Sequence, residues 1–188
     1  MLIVFEGLDG TGKGTQIELL KDKMDLVTFK YPTKNIPELN DYLEKKIEID
    51  RKTLFNLFLK DIMTEQNKVK KELSKGKTVV LDRYVFSTIA YELDAFSYDE
   101  AKAIVKKMNF LIPDHVVLLN IDAKTSQERK RKQKELDRYE ENADYLEMVR
   151  KNFLKLHNDR FLTPNWHKID ATRSVEDIHK DILNVLAK

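Results

Sequence analysis

The sequence predicts an α/β fold in which helices cover both faces of a parallel β-sheet. Three observations support this prediction. Short apolar segments alternate with helical patterns along the chain, and such alternation requires crossover connections between parallel strands. Segments such as Val79–Leu81 are continuously apolar, which is typical of strands buried on both faces. A glycine-rich pattern, Gly-x-x-x-x-Gly-Lys, separates the first apolar segment from the first helical one.

The glycine-rich pattern predicts a nucleotide site. Its glycines allow backbone N–H groups to surround phosphate oxygens, the following helix N-terminus adds partial positive charge, and Lys13 can reach the outer phosphates. A glycine-rich turn that binds nothing is the alternative, and the strand–loop–helix context argues against it. The predicted binding residues of this loop are Gly7, Leu8, Asp9, Gly10, Thr11, Gly12, Lys13, Gly14 and Thr15.

The position after the loop lysine departs from the pattern. It usually holds Ser or Thr, whose hydroxyl ligates Mg²⁺. Here Gly14 occupies it, and Thr15 is displaced by one helical residue, about 100° around the helix axis. We therefore expect Mg²⁺ to depend on water, on Asp82 and on Asp9.

The other elements follow in order along the chain. The predicted strands are Leu2–Phe5, Leu26–Phe29, Thr78–Asp82, His115–Ile121 and Trp166–Ile169. The predicted helices are Lys13–Met24, Pro37–Lys46, Arg51–Lys75, Ser97–Met108, a basic helix capped by Thr125 and Glu128, Asn142–Arg160 and Ser174–Leu186. Together with the loop they predict a three-layer P-loop NTPase fold, in which a five-stranded parallel sheet is flanked by helices.

Composition excludes several classes of protein. A chain of 188 residues without a linker or repeat is expected to form one domain, residues 1–188. The net charge of +2 argues against sequence-independent nucleic-acid binding. No apolar run is long enough to span a bilayer, and no signal peptide is expected because Met1 leads directly into a strand. The chain contains no cysteine, so we expect no disulfide and a cytoplasmic protein without membrane or nucleic-acid partners.

The arginines are concentrated in two segments. Only 8 of the 34 basic residues are arginine, the residue that best holds a phosphate in a fixed geometry. Four of the eight are Arg83, Arg129, Arg131 and Arg138. Arg83 directly follows Asp82, an acid at a strand end that is typical of a Mg²⁺ site in phosphate-loop enzymes. The alternative is that Asp82 only caps the next helix.

The second arginine-rich segment, Arg129–Glu140, has six basic and three acidic residues. Most such runs are solvated helix faces. This run contains arginines although most basic residues of the chain are lysines, and it lies on a strand-to-helix connection. We therefore interpret it as a lid that brings positive charge to a transferring phosphoryl group.

Several motifs resemble the thymidylate kinase family. They appear in the order of that family over nearly the whole chain: Phe5–Gly10, Asp82–Ser87 with Ala90 and Tyr91, Pro113–Asp114, Leu136–Glu140 and Ile169–Thr172. The resemblance implies a nucleoside monophosphate kinase with a helical lid segment at about residues 124–142. It also implies ATP and dTMP as substrates, Mg²⁺, and a homodimer.

The resemblance also implies roles for individual residues. The catalytic set is Lys13, Arg83, Arg129, Arg131 and Arg138. Lys13 and the loop amides hold the β- and γ-phosphates of ATP, and Ala171 and Thr172 lie beside its adenine. The acceptor nucleotide contacts Asp9, Tyr31, Lys34, Phe58, Arg83, Ser87, Thr88, Tyr91 and Tyr139. Within that set Arg83 clamps the phosphate, Phe58 stacks on the base, and Tyr91 fills the space of a ribose 2′-hydroxyl.

Three departures from the family matter. Gly10 stands where some members carry an arginine, and in the family such loops accompany lids rich in arginine. Lys34 stands where an arginine is frequent. The helical arginine that reads O4 of thymine is absent, and Ile62 or Met63 takes its place. We therefore expect dUMP to be accepted beside dTMP. Phe58 also lies near an apolar helix stripe, so the alternative to stacking on the base is that Phe58 is an ordinary aromatic residue of the core.

Two other functions stay open at this point. Gly14-Thr15-Gln16 also resembles adenylate kinase, so another nucleoside monophosphate kinase is the nearer alternative. A nucleotide-dependent switch protein is the more distant one. Guanine-binding switches use Asn-Lys-x-Asp after a strand, and the Asn-Lys of this chain lies within a predicted helix.

Overall fold

The sheet is parallel throughout and has the predicted five strands. The computed structural model describes residues 1–131 and 142–187. Within these residues the strands are β1 (Leu2–Glu6), β2 (Leu26–Lys30), β3 (Thr78–Asp82), β4 (His115–Asn120) and β5 (Trp166–Asp170). Their order across the sheet is β2-β3-β1-β4-β5. The strand that leads into the phosphate loop is therefore the central one.

Helices cover both faces of this sheet. They are α1 (Lys13–Lys21), α2 (Pro37–Leu43), α3 (Arg51–Ser74), α4 (Val85–Tyr91), α5 (Tyr98–Lys107), α6 (Ala123–Arg131), α7 (Ala143–Asn158) and α8 (Val175–Leu186). The predicted capping box forms, because Ser97 and Glu100 each accept a hydrogen bond from the backbone N–H of the other. No helix within residues 1–131 and 142–187 is long and apolar enough to cross a membrane.

Two helices differ from the sequence-based prediction. The short helix α4, of 7 residues, is not among the predicted helices. Helix α6 begins before Thr125, because the Asp122 carboxylate accepts hydrogen bonds from the N–H of Thr125 at 2.9 Å and from its hydroxyl at 2.7 Å. Asp122 is thus the capping residue, and the expectation that Thr125 caps this helix was wrong. The predicted lid lies outside the described residues beyond Arg131.

Side chains of β1 alternate between two apolar layers. Leu2 and Val4 belong to the layer that contains residues of α3, α4, α5 and α7. Ile3 and Phe5 belong to the opposite layer, which contains residues of α1 and α8. The predicted apolar stripe of α3 is buried at Phe55, Leu59, Ile62 and Val69. A sheet between two helical layers confirms the three-layer architecture.

The polar residues lie where the strands end. In the pairing of β1 with β3, Phe5 lies beside Asp82. The phosphate loop follows β1 and Arg83 follows β3, so both emerge at the same edge of the sheet. The carboxyl ends of parallel strands are where open α/β sheets bind their ligands.

Glu6, the last residue of β1, is a fully buried carboxylate. It accepts hydrogen bonds from the backbone N–H of Tyr84 at 2.8 Å, from the N–H of Ser87 at 3.2 Å and from the Ser87 hydroxyl at 2.6 Å. Burial raises its pKa to about 7, although the Ser87 hydroxyl, Arg83, Lys13 and the Tyr84 N–H favour the charged form. Glu6 therefore satisfies the first N–H groups of α4 in place of a capping side chain.

The raised pKa of Glu6 predicts how stability depends on pH. Between the ordinary value of 4.5 and about 7, the folded chain binds a proton at Glu6 that the unfolded chain releases. The stabilisation by protonated Glu6 is complete below the ordinary pKa of 4.5 and is lost as pH rises through about 7. The free energy of unfolding of the wild type, relative to Glu6→Gln, should therefore fall with rising pH by up to about 1.4 kcal/mol per unit.

Urea unfolding of both proteins at several pH values measures this difference. Glu18→Gln is the matched control, since Glu18 is exposed on α1 and its loss reports the effect of removing a surface carboxylate. A difference between wild type and Glu6→Gln that stays constant from acid to neutral pH would contradict the prediction.

Candidate active site

The phosphate loop has the backbone that its glycines allow. Gly7 has a φ of 134°, and a Cβ added there would lie 2.3 Å from the Leu119 carbonyl oxygen, so no other residue fits. Gly12 has a φ of 92° and precedes α1. The Thr11 hydroxyl donates to the Leu8 carbonyl at 2.9 Å and closes the loop. The backbone amides of this loop, which follows the central strand, therefore lie at the edge of the sheet where the strands end.

Lys13 lies over this loop. Its ammonium group donates to the carbonyl oxygens of Gly7 and Leu8, both at 2.9 Å, and the residue is buried. Burial and the charge of Arg83 lower its pKa to about 8, against the opposing charges of Asp9, Asp82 and Glu6. The lysine is thus already placed at the loop on which the sequence pattern puts phosphates.

Arg83 is held from several sides. Its backbone has a φ of 71°, the left-handed conformation that is uncommon outside glycine. One amino group contacts the Asp9 carboxylate at 2.8 Å, the other donates to the Ser87 hydroxyl at 2.9 Å, and the guanidinium carbon lies 5.3 Å from the centre of the Tyr91 ring. The guanidinium is therefore fixed in position and orientation.

Asp9 is the anion that these cations share. Burial alone would raise its pKa, but the charges of Arg83, Lys13 and Lys130 outweigh it and hold the pKa well below the ordinary value. Lys130 belongs to α6, and its ammonium group lies 4.0 Å from the Asp9 carboxylate. Asp9 is consequently charged at every physiological pH.

A cavity of about 140 Å³ opens beside Arg83, between α3 and α4. Its wall includes most residues that the family resemblance assigned to the acceptor: Asp9, Tyr31, Phe58, Arg83, Ser87, Thr88 and Tyr91. Ile62 also lines it, whereas Met63 is exposed and is absent from the wall. Of the two residues predicted to replace the base-reading arginine, Ile62 is therefore the one in contact with the cavity.

Sequence reasoning missed three charged residues of this wall. Asp61 is fully buried and accepts hydrogen bonds from both the backbone N–H and the hydroxyl of Thr33, which fixes the loop after β2. Arg51 lines the cavity and its Nε lies 3.0 Å from the Asp94 carboxylate. Glu92 completes the charged part of the wall. Asp61 lies one helical turn from Phe58, within the apolar stripe of α3, and Glu92 directly follows α4; these positions beside predicted site residues could have drawn attention to them.

Several predicted residues lie apart from the cavity. The side chain of Lys34 is exposed, and its carbonyl accepts a hydrogen bond from Asn40. Thr15 and Arg131 are exposed as well. Arg138 and Tyr139 lie outside the described residues. The structure therefore leaves the predicted roles of these five residues untested.

The adenine side of the predicted site lies between α6 and the end of β5. The Arg129 guanidinium donates to the Ala171 carbonyl at 2.8 Å, and the Ala171 N–H donates to Asn120 at 3.1 Å. Thr172 is exposed, with its hydroxyl on Asp170. Arg129 thus joins the first part of the predicted lid to the segment predicted to contact adenine.

Asp82 fits a Mg²⁺ site better than a helix cap. Its Oδ1 is buried without a hydrogen-bond partner among the described residues, and its Oδ2 lies 3.6 Å from the Lys30 ammonium. The residue that precedes α4 is Tyr84, so Asp82 does not cap this helix. The described residues contain no group of three or more His, Cys, Asp or Glu side chains placed to hold a metal ion. One carboxylate suits Mg²⁺, which keeps several waters and binds substrate phosphates.

Comparisons with known proteins agree on one family. The sequence model of the family described as Thymidylate kinase matches residues 5–182. The chain is 38% identical to a probable thymidylate kinase of Methanocaldococcus jannaschii, covering 99% of this chain and 95% of the relative. It is 31% identical to human thymidylate kinase, over 96% and 87% of the two chains. The structure of Candida albicans thymidylate kinase has the same fold, with a TM-score of 0.85 at 22% identity over 99% of this chain and 90% of that one. The chain therefore belongs to the thymidylate kinase family.

Proposed function

We propose that this chain transfers the γ-phosphoryl group of Mg-ATP to the 5′-phosphate of dTMP. The observation that carries the proposal is the position of Arg83. Its guanidinium contacts Asp9 of the phosphate loop at 2.8 Å and also lines the cavity beside Tyr91. A cation shared by a nucleotide loop and a neighbouring pocket suits a reaction between two bound nucleotides.

On the donor side, the loop amides and Lys13 bind the β- and γ-phosphates. The Lys13 ammonium exchanges its bonds to the Gly7 and Leu8 carbonyls for phosphate oxygens when ATP binds. Ala171 and Thr172 lie beside the adenine. Arg129, already hydrogen-bonded to Ala171, brings its charge to the same nucleotide together with the remaining lid arginines, Arg131 and Arg138.

On the acceptor side, Arg83 binds the monophosphate and the cavity encloses the nucleoside. Phe58 supplies an aromatic face for the base, and the Thr88 hydroxyl supplies a hydrogen-bonding group. Tyr91, held against Arg83, limits the space around C2′ of the sugar. Ser87 orients Arg83 through the 2.9 Å hydrogen bond to its guanidinium.

Transfer between these groups needs little proton chemistry. The acceptor phosphate has a second pKa near 6, so its attacking oxygen is already ionised at neutral pH. Asp9, with its low pKa, is too weak a base to remove a proton and instead orients the cations around it. Positioning of the two phosphates and stabilisation of charge on the transferring group are then the main contributions of the protein.

The buried Oδ1 of Asp82 supports its role in holding Mg²⁺, with Asp9 as the second predicted acid. The ion supplies charge neutralisation on the ATP phosphates when bound. Because Gly14 provides no hydroxyl, waters complete more of its shell than in loops with Ser or Thr at this position. The homodimer and the cytoplasmic location implied by the resemblance stay predictions.

Acceptor-dependent formation of ADP tests the proposed function. With Mg-ATP, the wild type should form ADP rapidly only when dTMP is present, whereas a switch protein would hydrolyse slowly with or without it. Lys13→Ala should lower kcat by about 10²-fold or more, since it removes one oriented electrostatic donor. A coupled assay measures both effects. A folded Lys13→Ala variant with near-normal turnover, or ADP formation independent of dTMP, would contradict the proposal.

The composition of the cavity predicts relaxed selection of the base and strict selection of the sugar. Thymine and uracil differ only in the thymine methyl, which an apolar wall such as that at Ile62 should distinguish by about 10–200-fold in kcat/KM, in favour of dTMP over dUMP. UMP should be a far poorer substrate than dUMP because the Tyr91 ring limits the space for a 2′-hydroxyl. Kinetics with dTMP, dUMP, UMP and dCMP measure both preferences.

Variants of Tyr91 isolate the contribution of its ring to sugar selection. Tyr91→Ala should lower the ratio of kcat/KM for dUMP to that for UMP. Tyr91→Phe should preserve this ratio because the ring volume remains. Equal use of dUMP and UMP by the wild type would contradict the role of Tyr91. A preference for dCMP would contradict the proposed acceptor.

Gly14 allows a direct test of the Mg²⁺ arrangement. A Cβ added there meets nothing within 4 Å, and its φ lies outside the left-handed region, so a side chain fits. Gly14→Ser should lower the Mg²⁺ concentration for half-maximal rate by restoring the missing hydroxyl ligand. Gly14→Ala is the matched control, since it gives the helix the same Cβ without a hydroxyl. Titration of both at saturating ATP measures the effect, and equal Mg²⁺ dependence would contradict it.

A further inference from the structure

Helix α4 ends at Tyr91 with few hydrogen bonds of its own. It has only 7 residues, and the last carbonyl groups of a helix find no partner further along it. The Glu92 N–H donates to the Ile89 carbonyl at a long 3.3 Å, and Glu92 itself is already extended, with a ψ of 113°. The end of α4 therefore needs partners from elsewhere in the fold.

Side chains of α7 supply these partners. The Tyr145 hydroxyl donates to the Tyr91 carbonyl oxygen at 2.6 Å, and the Asn152 side-chain amide donates to the Ala90 carbonyl oxygen at 3.2 Å. The two donors are seven residues apart, about two helical turns, so they lie on one face of α7. Helix α7 thus caps the C-terminal end of the helix that forms one wall of the cavity, as Glu6 caps its start.

The Tyr145 hydroxyl is itself oriented by a neighbour. It accepts a hydrogen bond from the guanidinium of Arg51, whose Nε lies 3.0 Å from the Asp94 carboxylate. A hydroxyl has one hydrogen to donate, and that of Tyr145 goes to the Tyr91 carbonyl. The two tyrosine rings also pack together, with centroids 6.4 Å apart, and Phe153 of α7 meets the Tyr91 ring edge-on at 6.3 Å. Both the backbone and the ring of Tyr91 therefore depend on contacts from α7.

We propose that Tyr145 is a positioning residue for sugar selection, which fixes the Tyr91 ring where a ribose 2′-hydroxyl would have to lie. The proposal rests on the kinase function proposed above and gives a role to α7, none of whose described residues lines the cavity. A ring excludes a hydroxyl group only if it cannot yield. Because a displacement of about 1 Å in a site can change a rate by about 10²-fold, a contact that prevents it acts on selectivity without touching the nucleotide.

The two uridine acceptors depend differently on this restraint. The sugar of dUMP leaves the space beside C2′ empty, so dUMP binds whether or not Tyr91 can move. UMP fits only if the ring is displaced, and displacement stretches the 2.6 Å hydrogen bond between the Tyr91 carbonyl and Tyr145. Loss of that hydrogen bond should therefore favour UMP selectively.

Tyr145→Phe tests the proposal, since it removes the hydroxyl and keeps the ring. We expect the ratio of kcat/KM for dUMP to that for UMP to fall by about fivefold, the scale of one hydrogen bond. The fall should come chiefly from a rise for UMP, and kcat/KM for dTMP should change less. Tyr98→Phe is the matched control, because the Tyr98 hydroxyl donates to Asp159, directly after α7, at 3.0 Å and lies away from the cavity. It should keep the wild-type ratio.

A double-mutant cycle with Tyr91→Ala separates positioning from a general loss of stability. Without the Tyr91 ring, Tyr145→Phe has nothing left to position and should not lower the ratio further. Dissociation constants of dUMP and UMP, measured by calorimetry without ATP, should show the same pattern. A Tyr145→Phe ratio within about 1.5-fold of the wild type, or an equal fall in the Tyr91→Ala background, would overturn the proposal. A wild type without acceptor-dependent ADP formation would instead overturn the proposed function, while the dissociation constants still test the role of Tyr145.

Discussion

The hydrogen bonds of the buried Glu6 carboxylate hold the two halves of the site together. Glu6 ends the central strand, and its three bonds reach the backbone of Tyr84 and both the backbone and the hydroxyl of Ser87. These bonds fix the start of α4 relative to the phosphate loop. Because the Ser87 hydroxyl donates to Glu6, its oxygen is free to accept from Arg83 at 2.9 Å. The left-handed backbone of Arg83 is maintained only because its surroundings determine it so fully.

The second feature of the site is a balance of buried charges. Lys13, Arg83 and Lys130 converge on Asp9, and their charges keep its carboxyl ionised despite burial. Without such anions, three cations in one buried space would repel each other. When nucleotides bind, phosphate oxygens can replace the carbonyl and carboxylate partners of these cations. The protein has then already arranged the charges that the reaction requires, which is how preorganised electrostatics lower a barrier.

The sequence predicted the parts of this arrangement that depend on local pattern. The strand, glycine loop and helix that end at Lys13 are contiguous, and Asp82 with Arg83 stands out at the end of an apolar strand. The hydrogen bonds of Glu6 and the contact of Lys130 with Asp9 depend on packing between distant segments and leave no local pattern. Among three consecutive basic residues on α6, only the position of Ser126 against the loop decides which faces the site. Likewise, the sequence alone does not show that Ile62 lines the cavity and Met63 does not.

Gly10 is constrained both by the conformation of the phosphate loop and by the packing of α6 against it. A glycine in a phosphate loop is usually explained by the backbone conformation that it permits, and the φ of 76° agrees with that explanation. A Cβ added at position 10 would lie 2.8 Å from the Ser126 carbonyl oxygen, which is a second constraint, because any side chain there would displace α6. The conformation of the loop and the packing of α6 on it therefore require the same residue at position 10.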